Sequence, residues 1–539
     1  MTPVVRLYLL IALVLMPLSL AWLWLGGDGT GLAPSGPMPL RLLVFLVLLA
    51  WTVTGAWDYF FSASNLRRNY PVLVNIRYLL ESFRPEMRQY FISNDLDERP
   101  FSRERRDIVY SRAKDLADTI PFGTQRDLLE EGYGSLQHSL APTHLDAGHG
   151  RTSIGGPQCA QPYDASRLNI SAMSFGALSA NAVMALNRGA KLGGFAHNTG
   201  EGSISPHHLR HGGDLIWQIG TGYFGCRQRD GRFDSGAFAE RARLDAVKMI
   251  ELKLSQGAKP SHGGVLPGAK VTAEIAQIRL VEAGKTVLSP PRHPEFDTPA
   301  GLLEFLGRLR ELSGGKPVGF KLAIGKPSEF CAIVKAMLRT GIVPDFITVD
   351  GAEGGTGAAP VEFTNRLGAP CLEATWFVSQ ILLGADLKKD VRVIASGITA
   401  TGYDMLEKIA LGADAVNAAR SMMLALGCIQ AKACNTNRCP TGITTQDKAL
   451  ARAVKVGEKA ERVCRFQRAT VRALLELCGA MGLSGPDALG PGHLFTRRGD
   501  RVLSHAELNP QLGAGQLLTG GDGQERFRRD WEAASADRF

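Results

Sequence analysis

Eight short apolar runs of β-type recur through the middle of this chain, and segments with helical periodicity separate several of them. The runs are residues 169–173, 194–198, 215–220, 249–254, 318–323, 346–351, 391–396 and 415–420. Strands that alternate with helices indicate a parallel sheet. Eight such units predict an α/β fold closed into a (β/α)8 TIM barrel.

The residues at the ends of these runs carry much of the polar chemistry. In a barrel of this kind, functional groups gather at the carboxyl ends of the strands. Glu201 follows the second run, Gln256 and Lys259 follow the fourth, and Lys321 lies within the fifth. A lysine in an apolar strand requires an anionic partner, because an unpaired buried charge is costly. We therefore expect these side chains to face one site.

Glycine-rich turns follow the last three runs. GAEGGTGAAP comes at the end of the sixth, and residues 396–397 and 419–420 come at the ends of the seventh and eighth. Such turns let backbone N–H groups approach a phosphate or a planar ring. The loops after strands seven and eight are the usual phosphate site of a barrel, so we expect a phosphate to bind there.

Three cysteines are clustered in LGCIQAKACNTNRCPTG, residues 426–442. Cys428, Cys434 and Cys439 follow a C-x5-C-x4-C spacing, and the Asn, Pro and Gly residues around them predict a loop. A disulfide framework is not expected in a reducing cytoplasm, and a structural zinc site needs four ligands. Spacing alone leaves two alternatives open, which are buried thiols and a three-iron iron–sulfur site.

Two long apolar runs precede the barrel. Residues 7–27 carry no charge, residues 42–57 form a second run, and a short Gly/Pro-rich linker joins them. About 20 residues are needed to cross a bilayer, and Arg41 and Asp58 can extend the second run to the interfaces. A membrane hairpin of two spans is predicted, with a cleaved signal peptide or a buried helical hairpin as alternatives. Arg67 and Arg68 follow the second run, so the positive-inside rule predicts a multi-pass protein of the inner or cell membrane with its catalytic domain in the cytoplasm.

Two function classes are not favoured by the sequence. The net charge is +9, but the basic residues are scattered and lack a basic–aromatic motif, so no nucleic-acid partner is expected. Gly220, Gly222 and Gly225 match G-x-G-x-x-G, but the residues that follow are polar and broken by glycine instead of helical. A dinucleotide site needs that turn to open a helix, so we do not expect an NAD(P)H-binding domain.

Several motifs together resemble the FMN-binding synthase domain of glutamate synthase. They are ISAMSFGALS, NTGEG, ELKLSQGAKPSHGGVLPGAKV, LSPPRH, GAEGGTGAAP and LGCIQAKACNTNRCPTGITTQ, which lie between residues 169 and 446. The resemblance implies a (β/α)8 barrel that holds FMN and a [3Fe-4S] cluster, with the three loop cysteines as iron ligands. It implies an oxidoreductase acting on CH–NH2 donors, which reduces 2-iminoglutarate, formed from 2-oxoglutarate and ammonia, to L-glutamate by hydride transfer from FMN. The two apolar runs resemble those of shorter, membrane-associated glutamate synthase-like proteins.

The resemblance also implies roles for individual residues. Glu201, Lys259 and Lys321 are expected to be catalytic, with Glu201 as a proton donor or ammonium binder. Lys259 and Arg279 are expected to bind the substrate carboxylates, since arginine pairs well with a carboxylate. Surface charges are the alternative for Glu201 and Arg279. The residues expected around the flavin and its phosphate are Ala172, Met173, Ser174, Gln256, Lys321, Gly354, Gly355, Gly357, Ser396, Gly397 and Ala419.

The sequence departs from the family pattern in ways that bear on the substrate. Val265 stands where the family motif GGQLPG has a glutamine that helps to hold 2-oxoglutarate, and SISPHH replaces the usual acidic stretch after Gly-Glu-Gly. A related keto or imino acid is therefore an alternative substrate, and a non-catalytic assembly or electron-transfer subunit that keeps the FMN barrel is an alternative function. No glutaminase domain is expected, so ammonia would be free or come from a partner. The electron donor is expected to be ferredoxin, an NADPH-oxidising partner or a membrane carrier.

The chain is predicted to divide into four parts. These are a transmembrane hairpin at 1–58, a helical extension at 59–168, the FMN-binding barrel with its iron–sulfur loop at 169–446, and a helical tail at 447–539. Within the extension, Pro85 is expected to break a helical segment, and DIVYSRAKDL is expected to be helical.

Overall fold

The computed structural model of the protein describes residues 2–25, 37–509, 511–519 and 525–539. Its contacts divide the chain into two compact units, Met1–Arg99 and Pro100–Phe539. This division differs from the four predicted parts, because the 59–168 segment is split between the units and the 447–539 segment belongs with the barrel. Most of the predicted linker between the two apolar runs, at residues 26–36, lies outside the described residues.

The second unit is built around a closed barrel of eight parallel strands, which confirms the predicted fold. We number the barrel strands β1 to β8 in chain order. Closure occurs where β8 pairs with β1, with Val416 opposite Leu168. Each strand overlaps one of the eight predicted runs. The strands are β1 Leu168–Ile170, β2 His197–Asn198, β3 Leu215–Ile219, β4 Val247–Lys253, β5 Val318–Leu322, β6 Phe346–Asp350, β7 Arg392–Ser396 and β8 Ala415–Ala418.

Helices cover the outside of the barrel. Most of them pack an apolar face on the strands, as expected for parallel strands that are buried on both faces, whereas Val361–Arg366 has no buried residue. Between and after the strands they are Ala180–Gly193, Pro206–Leu209, Ser235–Ala242, Ala273–Arg279, Pro299–Leu312, Pro327–Thr340, Val361–Arg366, Cys371–Gly384, Gly402–Ala410 and Arg420–Leu426.

Segments on both sides of the barrel in sequence complete its outer layer. The long helix Val456–Ala480 packs against Ala180–Gly193 and against Arg103–Lys114. The latter covers residues 107–114 of the predicted DIVYSRAKDL helix and ends before its last two residues. Shorter helices follow at His505–Leu508 and Glu525–Ala533. The residues on either side of the barrel therefore contribute to its core instead of forming separate layers.

Short antiparallel sheets close the ends of the barrel. Arg151–Ile154 pairs with Tyr163–Ser166, and the apolar side chains of this hairpin pack on the barrel core at the amino ends of the strands. At the other end, Val265–Leu266 pairs with Val287–Leu288 in the long segment after β4. A third sheet joins Gly134–Ser135, Phe495–Arg498 and Arg501–Ser504.

The first unit begins with two apolar helical stretches. Among the described residues, Pro3–Leu25 and Met38–Phe61 are long and apolar enough to cross a membrane. Few of their residues are buried within this unit. Arg41 donates from Nη1 to the carbonyl oxygens of Trp22 and Leu23, at the carboxyl end of the first stretch.

A further helix follows these stretches in the same unit. It runs from Leu73 to Met87 and contains Pro85, so the predicted break at Pro85 is wrong. The missing N–H of proline removes one backbone hydrogen bond, and the helix ends only two residues later, where a π-helical turn continues at Arg88–Ile92. The position near the end of the helix limits the disruption that a proline causes.

Candidate active site at the carboxyl end of the barrel

One cavity of about 710 Å³ opens at the carboxyl ends of the barrel strands. Every residue predicted to bind cofactor, substrate or metal lines it. These are Ala172, Met173, Ser174, Glu201, Gln256, Lys259, Arg279, Lys321, Gly354, Gly355, Gly357, Ser396, Gly397, Ala419, Cys428, Cys434 and Cys439. The structure thus brings the predicted residues together, while their individual roles stay predictions.

A group of charged side chains lies on the wall formed after β2 and β4. The Nζ atom of Lys253 is 3.0 Å from Oε1 of Glu201. Burial alone would raise the pKa of Glu201, but Lys253, Arg279 and Lys259 together hold that pKa below its usual value. Glu201 is therefore a carboxylate at neutral pH, and its mostly buried position removes the surface-charge alternative.

Arg279 reaches this group from the end of the helix Ala273–Arg279. Its Nη2 donates to the carbonyl oxygen of Phe175 at 2.9 Å and to Oγ of Ser174 at 3.3 Å, and its guanidinium carbon lies 5.2 Å from the ring centroid of Phe224. Only 4% of the residue is exposed, so Arg279 is not a surface charge either. Burial lowers the pKa of Arg279 to about 10, partly offset by the charge of Glu201.

Lys259 is also buried against the cavity. Burial lowers the pKa of Lys259 to about 8, with Glu201 acting in the opposite direction and Lys253 in the same one. Four charged groups, three cations and one carboxylate, therefore share one part of the cavity wall. A dianion with two carboxylates would complement their net positive charge.

Lys321 has the anionic partner that its place in an apolar strand requires. Its Nζ lies 3.3 Å from Oδ2 of Asp350, the last residue of β6. The same oxygen accepts a hydrogen bond of 2.8 Å from the backbone N–H of Gly257. Asp350 thus positions both a cation and a loop at the rim of the cavity.

Small residues bring backbone close to the cavity on the side of β6 to β8. A Cβ at Gly257 would lie 1.7 Å from the carbonyl oxygen of Gly351, so the loops after β4 and β6 are in direct backbone contact at this point. The hydroxyl groups of Ser396 and Ser171 lie 3.2 Å apart across β7 and β1. Arg420 donates to the carbonyl oxygen of Glu353 at the mouth of the cavity.

The cysteine loop forms another wall of the cavity. Lys270, which is buried, donates from Nζ to the carbonyl oxygens of Cys434 and Thr444 at 2.8 Å and to that of Ala177 at 3.3 Å. Within the described ranges, no three His, Cys, Asp or Glu side chains are close enough to hold a single metal ion. This spacing does not bear on a polynuclear cluster, in which iron and inorganic sulfide separate the thiolates.

Below the cavity, the carboxylate of Glu251 joins four strands. It lies on β4 and is completely buried. Oε1 accepts hydrogen bonds from Asn198 at 2.8 Å and Gln218 at 2.7 Å, and Oε2 accepts one from Thr348 at 2.6 Å. These partners lie on β2, β3 and β6, so one fully hydrogen-bonded carboxylate connects four strands beneath the cavity.

Four residues of this site were not predicted from the sequence. Lys253 and Asp350 end barrel strands, and their places at the carboxyl ends of ELK and ITVD were a usable signal. Lys270 and Glu251 carried no such signal, because their partners are backbone carbonyls and polar side chains far away in sequence.

The family comparison and similar relatives point to the same protein family. The family described as "Conserved region in glutamate synthase" matches residues 142–484. The chain is 38% identical over 496 residues to the "Glutamate synthase large subunit-like protein YerD" of Bacillus subtilis, covering 84% of this chain and 94% of that protein. It is 34% identical over 320 residues to the "Archaeal-type glutamate synthase [NADPH]" of Thermotoga neapolitana, covering 59% of this chain and 60% of that protein.

Similarity to solved structures is more distant. A structure of mandelate oxidase with benzoyl-formic acid has 15% sequence identity and a TM-score of 0.40, covering 68% of this chain and 86% of that one.

Proposed function

Because the chain belongs to the glutamate synthase family, we propose that it is an FMN-dependent oxidoreductase held at a membrane by its N-terminal helices. Its proposed reaction is the reduction of 2-iminoglutarate, formed from 2-oxoglutarate and ammonia, to L-glutamate. The observation that carries this proposal is the convergence of one carboxylate and three cations on one cavity at the carboxyl ends of the barrel strands.

The cavity suits a flavin mononucleotide. Gly354, Gly355 and Gly397 line the cavity where neighbouring segments pack closely, since a Cβ added to them would lie 3.0, 3.1 and 2.9 Å from the nearest protein atom. Ala419, another lining residue, precedes the helix Arg420–Leu426. Backbone amides at the ends of β7 and β8 are candidates to bind the phosphate, as in other barrels. Bound FMN would supply the hydride, and Lys321 at the end of β5 would stabilise negative charge on the reduced ring.

The charged group suits a keto acid with two carboxylates. Arg279 and Lys259 would bind carboxylates, and burial in a site shielded from water strengthens such pairs. Glu201 is already ionised, so it is better suited to bind ammonium or to accept a hydrogen bond from an imino N–H than to donate a proton in the resting enzyme. Lys253 would keep Glu201 in place and ionised.

The cysteine loop suits an iron–sulfur cluster of the three-iron type. Three cysteines face the same cavity, and the buried ammonium of Lys270 lies close enough to Cys434 and Cys439 to stabilise their thiolates. Cys434→Ser should remove the iron from anaerobically purified protein while flavin is retained. Cys464→Ser is the matched control, because Cys464 lies in the helix Val456–Ala480, away from the loop, and this variant should keep its iron. Equal iron contents in the two variants would contradict the cluster assignment.

The main experiment uses the reduced full-length protein. After reduction with dithionite, 2-oxoglutarate and ammonium should reoxidise the flavin and yield L-glutamate. If the flavin stays reduced with 2-oxoglutarate but is oxidised by another keto acid and ammonium, that keto acid is the substrate. A flavin that stays reduced with every keto acid would favour a non-catalytic assembly subunit.

Val265 favours the alternative of a different keto acid. It lines the cavity, in the short strand Val265–Leu266, and its side chain cannot hydrogen-bond to a carboxylate. If the residue selects the substrate, Val265→Gln should lower KM for 2-oxoglutarate relative to the other keto acids tested. Unchanged relative values would mean that selection lies elsewhere.

The proposed membrane anchor consists of Pro3–Leu25 and Met38–Phe61, with the barrel in the cytoplasm. Ferredoxin, an NADPH-oxidising partner or a membrane carrier would supply electrons. Resistance to carbonate extraction tests the anchor, and protease accessibility of the barrel in right-side-out and inverted vesicles tests the orientation.

A further inference from the structure

We propose that the helix Leu73–Met87 is a third membrane-contacting element, which lies in the plane of the bilayer surface with an apolar stripe toward the lipid and arginines toward anionic headgroups. This inference rests on the proposed membrane anchor and extends it. The anchor needs only the two apolar stretches, whereas this helix would fix the unit at a defined depth.

The helix presents an apolar stripe that nothing covers among the described residues. Its members recur at the i, i+3, i+4, i+7 spacing of one helical face. They are Ile76, Leu79, Leu80, Phe83 and Met87, each about half exposed or more. Tyr90, Phe91 and Ile92 in the following turn extend the exposed apolar surface.

The opposite face is already occupied. Val74 is buried, Asn75 donates from Nδ2 to Asp58 at 2.7 Å, and the hydroxyl group of Tyr78 lies 3.2 Å from that of Ser64. The guanidinium of Arg67 lies over the ring of Tyr78, 5.0 Å from its centroid. The apolar stripe is therefore the free face of a helix whose back is attached to the chain that precedes it.

The attachment point fixes the depth of the helix. Asp58 lies in the last turn of the second apolar stretch and is only 1% exposed. Its carboxylate accepts hydrogen bonds from Arg67 at 3.1 Å, the backbone N–H of Val72 at 3.0 Å and Asn75. The start of the helix is thus tied to the point where the apolar stretch ends, which is where hydrocarbon gives way to headgroups.

Length and charge favour a helix in the plane over a third span. Fifteen residues are too few to cross a bilayer, and the helix carries charged residues on the flank of its stripe. Arg77, Arg84 and Arg88 share that flank. Arg77 pairs with Glu81 at 2.9 Å, and Arg84 and Arg88 can reach anionic headgroups while the stripe enters the acyl region. An anionic bilayer complements both the apolar stripe and the basic flank, and it lies where the second apolar stretch already ends.

Photocrosslinking of the full-length protein in vesicles of phosphatidylglycerol and phosphatidylcholine tests the inference. Phe83→benzoylphenylalanine and, independently, Leu79→benzoylphenylalanine should each gain the mass of one phospholipid on irradiation. Ser82→benzoylphenylalanine, away from the stripe, is the matched control and should give little lipid adduct. Leu46→benzoylphenylalanine reports on the second apolar stretch itself.

The Leu46 position separates the two proposals. Lipid adducts at Leu46 together with crosslinks from Phe83 and Leu79 to protein, either residues 100–539 or a second copy, overturn the in-plane helix and leave the anchor standing. Lipid adducts at neither Leu46 nor Phe83 overturn both. Equal adducts at Phe83 and Ser82 also overturn the inference, because no face would then be selected.

Discussion

Substrate affinity is predicted to fall as the pH rises through 8, because of Lys259. Burial lowers the pKa of Lys259 to about 8, below its usual value of about 10.5. The side chain is therefore cationic at pH 7 and mostly neutral at pH 9. If it binds a carboxylate only as a cation, linkage requires the Kd for 2-oxoglutarate to rise about tenfold between these two pH values.

Isothermal titration calorimetry of the flavin-loaded protein with 2-oxoglutarate measures this directly. Ammonia is left out, because its own titration would change the rate of the full reaction over the same range. The carboxylates of the ligand are ionised throughout, and the pKa of Arg279, about 10, keeps that group cationic. Lys259→Met should bind more weakly at pH 7 and show little dependence on pH. A constant Kd for the unaltered protein, or a tenfold change that persists in Lys259→Met, would refute the reasoning.

Two further predictions concern the charged group and the loop contact beneath it. Lys253→Met removes the cation 3.0 Å from Glu201, so the pKa of Glu201 should rise. The acid limb of the pH profile of kcat/KM should then move to higher pH, whereas Lys253→Arg should leave the profile nearly unchanged. Gly257→Ala would place a Cβ 1.7 Å from the carbonyl oxygen of Gly351, and thermal unfolding should show a loss of stability of at least about 1–3 kcal/mol. Gly325→Ala is the control, since no atom lies within 4 Å of its added Cβ. An unshifted profile for Lys253→Met, or equal melting temperatures for the two glycine variants, would count against these assignments.

The fold was predictable because the barrel strands are short, apolar and separated by helices. Most strand residues are buried on both faces, so strands such as β3 and β6 read as apolar runs that end at the cavity rim, whereas β2 is only His197–Asn198. Because the ends of the strands could be located in the sequence, Glu201 and Lys259, which follow two of them, could be predicted to lie at the same end of the barrel. The predicted break at Pro85 failed because the cost of proline depends on its position, and one placed near the end of a helix disrupts little.

Long-range partners explain what the sequence did not reveal. Lys270 binds three carbonyl oxygens, two of them more than 160 residues away, and carbonyls have no sequence signature. Residues 100–168 read as an extension because their helix, Arg103–Lys114, has few apolar residues of its own. It is stabilised by packing on Val456–Ala480, which is also distant in the chain.

The carboxylate of Glu251 has a consequence for how this cavity can change over evolution. By accepting hydrogen bonds from Asn198, Gln218 and Thr348, it locks four strands into one frame without involving any rim loop. Substitutions in those loops, such as the valine at position 265, can therefore alter what the cavity accepts without shifting the scaffold beneath it. A rigid floor beneath independent rim loops would allow the same barrel to accept different substrates.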